Sequence, residues 1–397
     1  MLPLLAVLIS IHANFEGGRL GPTERIEADH YRCHILGQTD QEGRNRQASW
    51  YYFRVDHAAG HQLTFDLVDL AGEYNYQPTR GAITKDTLPF YSSDNINWHP
   101  VEEAKYDPAA PMLQFSVHAG SDQLWIAHVP PYTTQNLNAL FRELSNVPHA
   151  TIESVGNSVE GRSIPLVTVT DHFVPDERKK VIWLMFRQHA WEAGSSWTGE
   201  GAIRFLSSSN PAAVRIRKGA IIKILLLCDP DGVVHGGVRF NHYGYDLNRN
   251  WDITDPVRMP EITAERKAIL DWVDGGKRLD FFLTLHNTET NEYLNGPPDS
   301  TGKLRPLLDH VYQIWSAGST FSAAQPPVFT SATTTAGRPG RMNVVQGLYR
   351  DRQVPAFEVE MRIAKHPKLG HRPTIEDRKR AGEELIQAIW KALNTSS

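Results

Sequence analysis

Lys180-Val181-Ile182-Trp183-Leu184-Met185-Phe186-Arg187-Gln188-His189-Ala190-Trp191-Glu192 is the stretch from which the fold is read. After its lysine the run is β-branched, aromatic and aliphatic with no polar alternation, the pattern of a strand buried on both faces. Glu192-Ala193-Gly194 then opens a helix, so residues 187–192 form a strand-to-helix turn. The pattern continues downstream: Trp197 to Leu206, Ile221 to Leu227, Ala264 to Val273 and Phe281 to Leu285. Strands alternating with helices predict an α/β domain around a largely buried sheet. A C-terminal helix is expected from Thr374, with Asp377 as its capping carboxylate and Leu385, Ile389 and Trp390 on its apolar face.

Upstream the grammar changes. Residues 1 to about 130 form short alternating runs broken by Gly, Asp, Asn and Pro, which predicts a β-sandwich. Leu137, Leu140, Phe141 and Leu144 then stand at helical spacing behind Thr133-Thr134. The expected division is therefore 1–134 for the β-sandwich domain and 135–397 for the α/β domain, two domains of ordinary size.

Bulk properties remove several classes of function. With 41% hydrophobic and 22% charged residues the chain has the composition of an ordinary globular protein. A formal charge of −4 and no Lys/Arg stripe interleaved with aromatics argue against nucleic acid as a partner. No apolar run approaches the roughly 20 residues that span a bilayer, so no membrane partner is expected. Cys33 and Cys228 are far apart, which points away from a disulfide-stapled secreted fold, and Cys228 reads as a buried small residue. The apolar run from Met1 to Ile11 could be the core of a signal peptide, but it lacks the basic residues that precede one and is read in preference as a first strand.

The chemistry begins in the turn. A histidine and a carboxylate three residues apart, His189 and Glu192, can share one divalent metal and leave room for another protein ligand and water. His286, closing the apolar strand Phe281-Phe282-Leu283-Thr284-Leu285, is the expected third ligand, because ligands collect at strand ends in open α/β sheets. Downstream follow Asp229-Pro230-Asp231-Gly232 and Gly244-Tyr245-Asp246-Leu247-Asn248-Arg249-Asn250-Trp251-Asp252. With these the chain resembles the zinc carboxypeptidases, in which His-x-x-Glu supplies two metal ligands, a Pro-Asp-Gly turn follows the next strand, and an Asn-Arg pair grips the substrate's terminal carboxylate. Residues 155–164, Val-Gly-Asn-Ser-Val-Glu-Gly-Arg-Ser-Ile, resemble the segment opening that family's catalytic domain. The upstream third resembles a narrower group, the cytosolic carboxypeptidases, through Asn14-Phe15-Glu16-Gly17-Gly18-Arg19-Leu20, Trp50-Tyr51-Tyr52-Phe53-Arg54-Val55 and Pro130-Pro131-Tyr132-Thr133-Thr134.

The resemblance implies an α/β/α catalytic domain with a mixed central sheet behind an N-terminal β-sandwich, one Zn2+ per chain held by His189, Glu192 and His286, and a cytoplasmic location. It implies that Met1 to Ile11 begins the first strand. It implies a peptide or protein C-terminus as substrate, with Asn248 and Arg249 on the terminal carboxylate and Arg239 polarising the scissile carbonyl. The carboxylate that takes the attacking water's proton lies in Phe357-Glu358-Val359-Glu360-Met361-Arg362. Alternation puts Glu358 and Glu360 on one face, about 7 Å apart, so spacing leaves both open; the family's aromatic-Thr-apolar-Glu pattern selects Glu360. Glu358 then stands where the family has threonine.

Two further departures concern the substrate pocket. His286-Asn287-Thr288-Glu289-Thr290 replaces the His-Gly-His of the cytosolic group, and no tyrosine lies between Tyr312 and Tyr349, where many members place one over the substrate. Arg338 or Arg341 in the loop Thr333-Thr334-Thr335-Ala336-Gly337-Arg338-Pro339-Gly340-Arg341 would favour acidic C-terminal residues. Competing readings are a zinc amidohydrolase acting on small N-acylated amino acids and a non-catalytic protein that binds C-termini.

Overall fold

A computed structural model describes residues 8–299, 301–329 and 339–395. It divides into two compact units, residues 1–131 with 234–238, and residues 132–233 with 239–397. The expected boundary at 134/135 stands three residues away from this division. Tyr132 goes with the second unit because its ring packs edge-on against Trp197 at 4.8 Å and its carbonyl accepts from Arg187 at 3.4 Å. The return of 234–238 to the first unit has a local cause too, since Gly17 donates to the Val234 carbonyl at 2.9 Å and the Val238 N–H donates to Gln38.

The first unit is a β-sandwich with a small accessory sheet. One five-stranded sheet contains Tyr52–Asp56 and Gln123–Ala127, the other Gln62–Val68 and Met112–His118. Alternate residues of both sheets meet in one apolar core: Phe53, Val55, Leu124 and Ile126 from one, Leu63, Phe65, Leu113 and Phe115 from the other. Of the apolar N-terminal run, residues 1–7 lie outside the described residues; Ser10–His12 form a strand paired antiparallel with Tyr52–Asp56. Both cysteines are buried and free, and burial pushes the Cys33 thiol up to about 12.

The second unit is built on an eight-stranded mixed sheet in the order Ala150–Asn157, Ser163–Val169, Ala220–Leu225, Lys180–Phe186, Phe281–Thr288, Ala356–Arg362, Tyr293–Gly296, Val328–Phe329. Its four central strands are mutually parallel. They are mostly apolar because helices cover both faces of such a sheet, and Glu358 and Glu360 of Ala356–Arg362 are among the exceptions. Lys180–Phe186 is buried from Val181 to Phe186, and Ala193–Ser207 follows as the helix expected from the sequence. The C-terminal helix Ile375–Asn394 starts at Thr374 in a capping box with Asp377, as read from the sequence. Among the described residues no helix is long and apolar enough to cross a membrane.

Candidate metal and substrate site

The site grows from strand register. In a parallel pair directly matched residues point to the same face, and here Thr284 matches Glu358 and His286 matches Glu360. On the other side of Ala356–Arg362, Tyr293 and Asn295 match Glu360 and Glu358. One sheet face therefore carries His286, Glu358, Glu360, Tyr293 and Asn295 side by side, near the carboxyl ends of the parallel strands.

The turn at the end of Lys180–Phe186 brings up the other two groups. Arg187 takes a left-handed backbone conformation, φ 61°, and its buried guanidinium holds the turn by donating to the Ala190 carbonyl at 2.8 Å. Beneath it, Asp229 donates its N–H to the Arg187 carbonyl and accepts the Gly232 N–H at 2.8 Å. Gly232 is needed for close approach: a Cβ there would stand 2.0 Å from an Asp229 oxygen. Asp231 is in turn latched by Ser158 at 2.7 Å, Arg162 at 2.6 Å and the Glu160 N–H at 2.9 Å. The Asp-Pro-Asp-Gly turn and the 155–164 segment thus meet as one support under the metal-binding turn.

His189, Glu192 and His286 converge, with one donor atom from each lying within 4.8 Å of the others, all three side chains buried. Glu192 sits between the imidazoles, Oε1 2.7 Å from His189 Nδ1 and Oε2 2.9 Å from His286 Nδ1. Burial works to raise the Glu192 carboxyl, but the two histidines hold it below its ordinary range. Burial likewise works to lower His286, yet Glu192, Glu360 and Glu358 raise it to about 9. The cluster thus favours positive charge at its centre. Two imidazole nitrogens and a carboxylate oxygen form a donor set that suits zinc.

The outer nitrogens are fixed as well. His189 Nε2 lies 3.0 Å from Asp246 Oδ1, and Asp246 Oδ2 accepts from Arg239 Nε at 2.8 Å. Against its burial, Arg239, His189 and Arg249 hold Asp246 well below the usual carboxylate range. His286 Nε2 lies 3.2 Å from Gln188 Oε1, which also accepts from the Thr284 hydroxyl at 2.8 Å. Such partners orient each imidazole and leave Nδ1 for the metal. Sequence reading missed Asp246, Gln188 and Thr284. Only Asp246 had a signal, as a carboxylate two positions before Asn248.

Glu360 lies beside this cluster with Oε2 buried and without a hydrogen-bond partner among the described residues. Burial, reinforced by Glu192 and Glu358, pushes its carboxyl well above its ordinary value against the pull of His286 and Arg239. Burial also pushes Tyr293 up, with Glu360 and Glu358 adding to it; the sequence reading missed this residue as well. Asn248 is buried, donating Nδ2 to Glu358 at 2.8 Å and accepting the Val344 N–H at 3.1 Å. Arg249 is partly exposed and donates to the Asn248 carbonyl at 2.7 Å. Arg338 and the threonines before it lie outside the described residues.

Comparisons with known proteins agree in both halves of the chain. The family model described as Zinc carboxypeptidase matches residues 137–325, and that of the Cytosolic carboxypeptidase N-terminal domain matches residues 11–129. Cytosolic carboxypeptidase 6 of Mus musculus is 26% identical over 307 residues, covering 72% of this chain and 55% of the relative. The Homo sapiens counterpart is also 26% identical, over 72% of this chain and 58% of its own length. This chain thus spans little more than half the length of these relatives. Among solved structures, a metallo-carboxypeptidase from Burkholderia cenocepacia superposes with a TM-score of 0.82 at 21% identity, covering 98% of this chain and 99% of the other. One from Pseudomonas aeruginosa, in complex with (2-guanidinoethylmercapto)succinic acid, gives 0.79 at 23% identity over 97% and 99%. Both carry the same fold.

Proposed function

The chain belongs to the zinc carboxypeptidase family, and we propose that it is a zinc-dependent carboxypeptidase releasing the last residue from peptides or protein tails. The observation that supports this most is the convergence of His189, Glu192 and His286 next to Glu360, whose Oε2 is buried and unpartnered. One zinc ion held by those three residues would supply a Lewis acid for the scissile carbonyl and the attacking water.

The chain's own residues do the rest. Arg249 receives the terminal carboxylate through its guanidinium fork. Asn248 is assigned to the same carboxylate beside it; in the structure its Nδ2 lies 2.8 Å from Glu358 and 3.2 Å from His286 Nε2. Arg239, oriented by Asp246, stabilises the charge that develops on the carbonyl oxygen. Glu360 takes the proton of the attacking water on its carboxylate and delivers it to the leaving amine. Between them Arg249 and Glu360 set the distance from chain end to cleaved bond, which restricts the reaction to the last residue.

A cytoplasmic location accords with the names of the relatives. The experiment is trimming of one peptide with a free or an amidated C-terminus, followed by mass spectrometry. The free form should lose single residues and the amidated form none; equal trimming of both would remove the role given to Arg249. Cleavage of N-acylated amino acids with no peptide trimmed would select the amidohydrolase.

A further inference from the structure

Glu358 is a second carboxylate in this pocket, and it is enclosed by side-chain hydrogen-bond donors. It is only 6% exposed. Three primary amides surround it: Asn248 Nδ2 at 2.8 Å, Asn343 Nδ2 at 3.4 Å and Asn295 Nδ2 at 3.4 Å. Two of these amides can only face it with nitrogen, because Asn248 Oδ1 accepts the Val344 N–H and Asn343 Oδ1 accepts the Gln346 N–H. Asn343 is also the N-cap of helix Val344–Arg352, whose first turn presents the positive end of the helix dipole to this corner.

These amides donate hydrogen bonds to the carboxyl group and carry no charge of their own. Among the described residues no cation makes an ion pair with Glu358, whereas buried charges are ordinarily paired. A cationic side chain entering this pocket would give Glu358 the missing partner, whereas an acidic one would bring a second carboxylate against it.

The location of Glu358 says which substrate residue it meets. It hydrogen-bonds Asn248, the neighbour of Arg249, and lies two residues from Glu360 on the same strand face. It therefore shares this corner with the group proposed to hold the terminal carboxylate and the group proposed to take the water's proton, next to which the last residue of the substrate would lie.

We propose that Glu358 is a specificity-determining residue and that the C-terminal residue released carries a cationic side chain, as lysine or arginine does. This rests on the carboxypeptidase reading and replaces the acidic preference expected from Arg338 and Arg341. A charge-assisted hydrogen bond in a buried pocket is worth roughly ten- to a hundredfold in affinity.

Two measurements test it. In the zinc-loaded protein, kcat/KM is compared for matched peptides ending in Lys, Arg, Gln and Glu, with and without Glu358→Gln. The Lys and Arg peptides should exceed the Glu peptide by about a hundredfold, and Glu358→Gln should cut that ratio at least tenfold. A ratio that survives the substitution, or a preference for Glu in the unaltered protein, overturns the proposal. Independently, calorimetry on zinc-loaded Glu360→Gln protein compares N-acetyl-lysine, N-acetyl-arginine and N-acetyl-glutamate. Tighter binding of the cationic ligands supports the role of Glu358 even if no peptide is cleaved, in which case the carboxypeptidase reading alone has failed. Equal or tighter binding of N-acetyl-glutamate overturns the role of Glu358, and this comparison stands even if Glu358→Gln fails to fold.

Discussion

Glu358 and Glu360 are chemically identical and share a strand face, yet they lie in opposite environments. Glu358 is surrounded by amide donors, while Glu360 Oε2 is buried with no partner among the described residues. A proton acceptor needs the second environment, so Glu360→Gln should lower kcat by about 10²- to 10⁴-fold while metal content, read by elemental analysis, stays unchanged. Gln188 is a positioning residue: it holds His286 Nε2 and makes no contact with the substrate in this account. Gln188→Leu should weaken zinc affinity about 10- to 100-fold in competition with a coloured chelator, and unchanged affinity would remove that role. Neither the role of Gln188 nor the ring of amides around Glu358 was legible in the sequence. Strand register brings Asn295 to Glu358, the start of helix Val344–Arg352 brings Asn343 and a turn brings Asn248, from segments tens of residues apart that no local spacing links. The metal ligands were legible because two are three residues apart and the third closes an apolar strand.

Elements with a local period and a local cap could be read directly. Residues 181–186 are an unbroken apolar run and 281–285 are apolar but for Thr284, because both faces of these strands are covered, and Ile375–Asn394 announces its start with Thr374 and Asp377. Strand order could not be read, since Ala220–Leu225 precedes Phe281–Thr288 in the chain yet lies on the far side of Lys180–Phe186. The C-terminal cap also has a pH signature. Although burial opposes it, hydrogen bonds from Thr374 and the neighbouring His371 hold Asp377 down from 3.8 to about 2. A depressed carboxyl stabilises the fold above its unfolded value, so this contribution should be complete above about pH 4 and disappear as the pH falls toward 2. Thr374→Ala should cost about 1 kcal/mol in urea unfolding at neutral pH, and a cost below a few tenths would show that the cap is dispensable.

At the scale of the molecule, the fold divides the labour between a β-sandwich unit and an α/β unit, and every proposed ligand and reacting group lies in the second. Metal that binds only the folded state stabilises it by mass action, about 2.7 kcal/mol at a hundredfold excess over Kd. For a unit of this size that corresponds to roughly 5–10 °C. Calorimetric scans should therefore show zinc raising the melting transition of the α/β unit, and His286→Ala should abolish the shift. A shift that persisted in His286→Ala would place the bound metal elsewhere.

The proposed removal of single C-terminal residues with one zinc ion held by His189, Glu192 and His286 can be checked in one experiment: metal analysis of the purified protein together with amino-acid release from peptides of varied C-terminus, before and after chelation. About one zinc per chain is expected, with release of one residue at a time, loss of release with chelator and recovery with added zinc. Release that continues undiminished in metal-free protein would rule the zinc mechanism out.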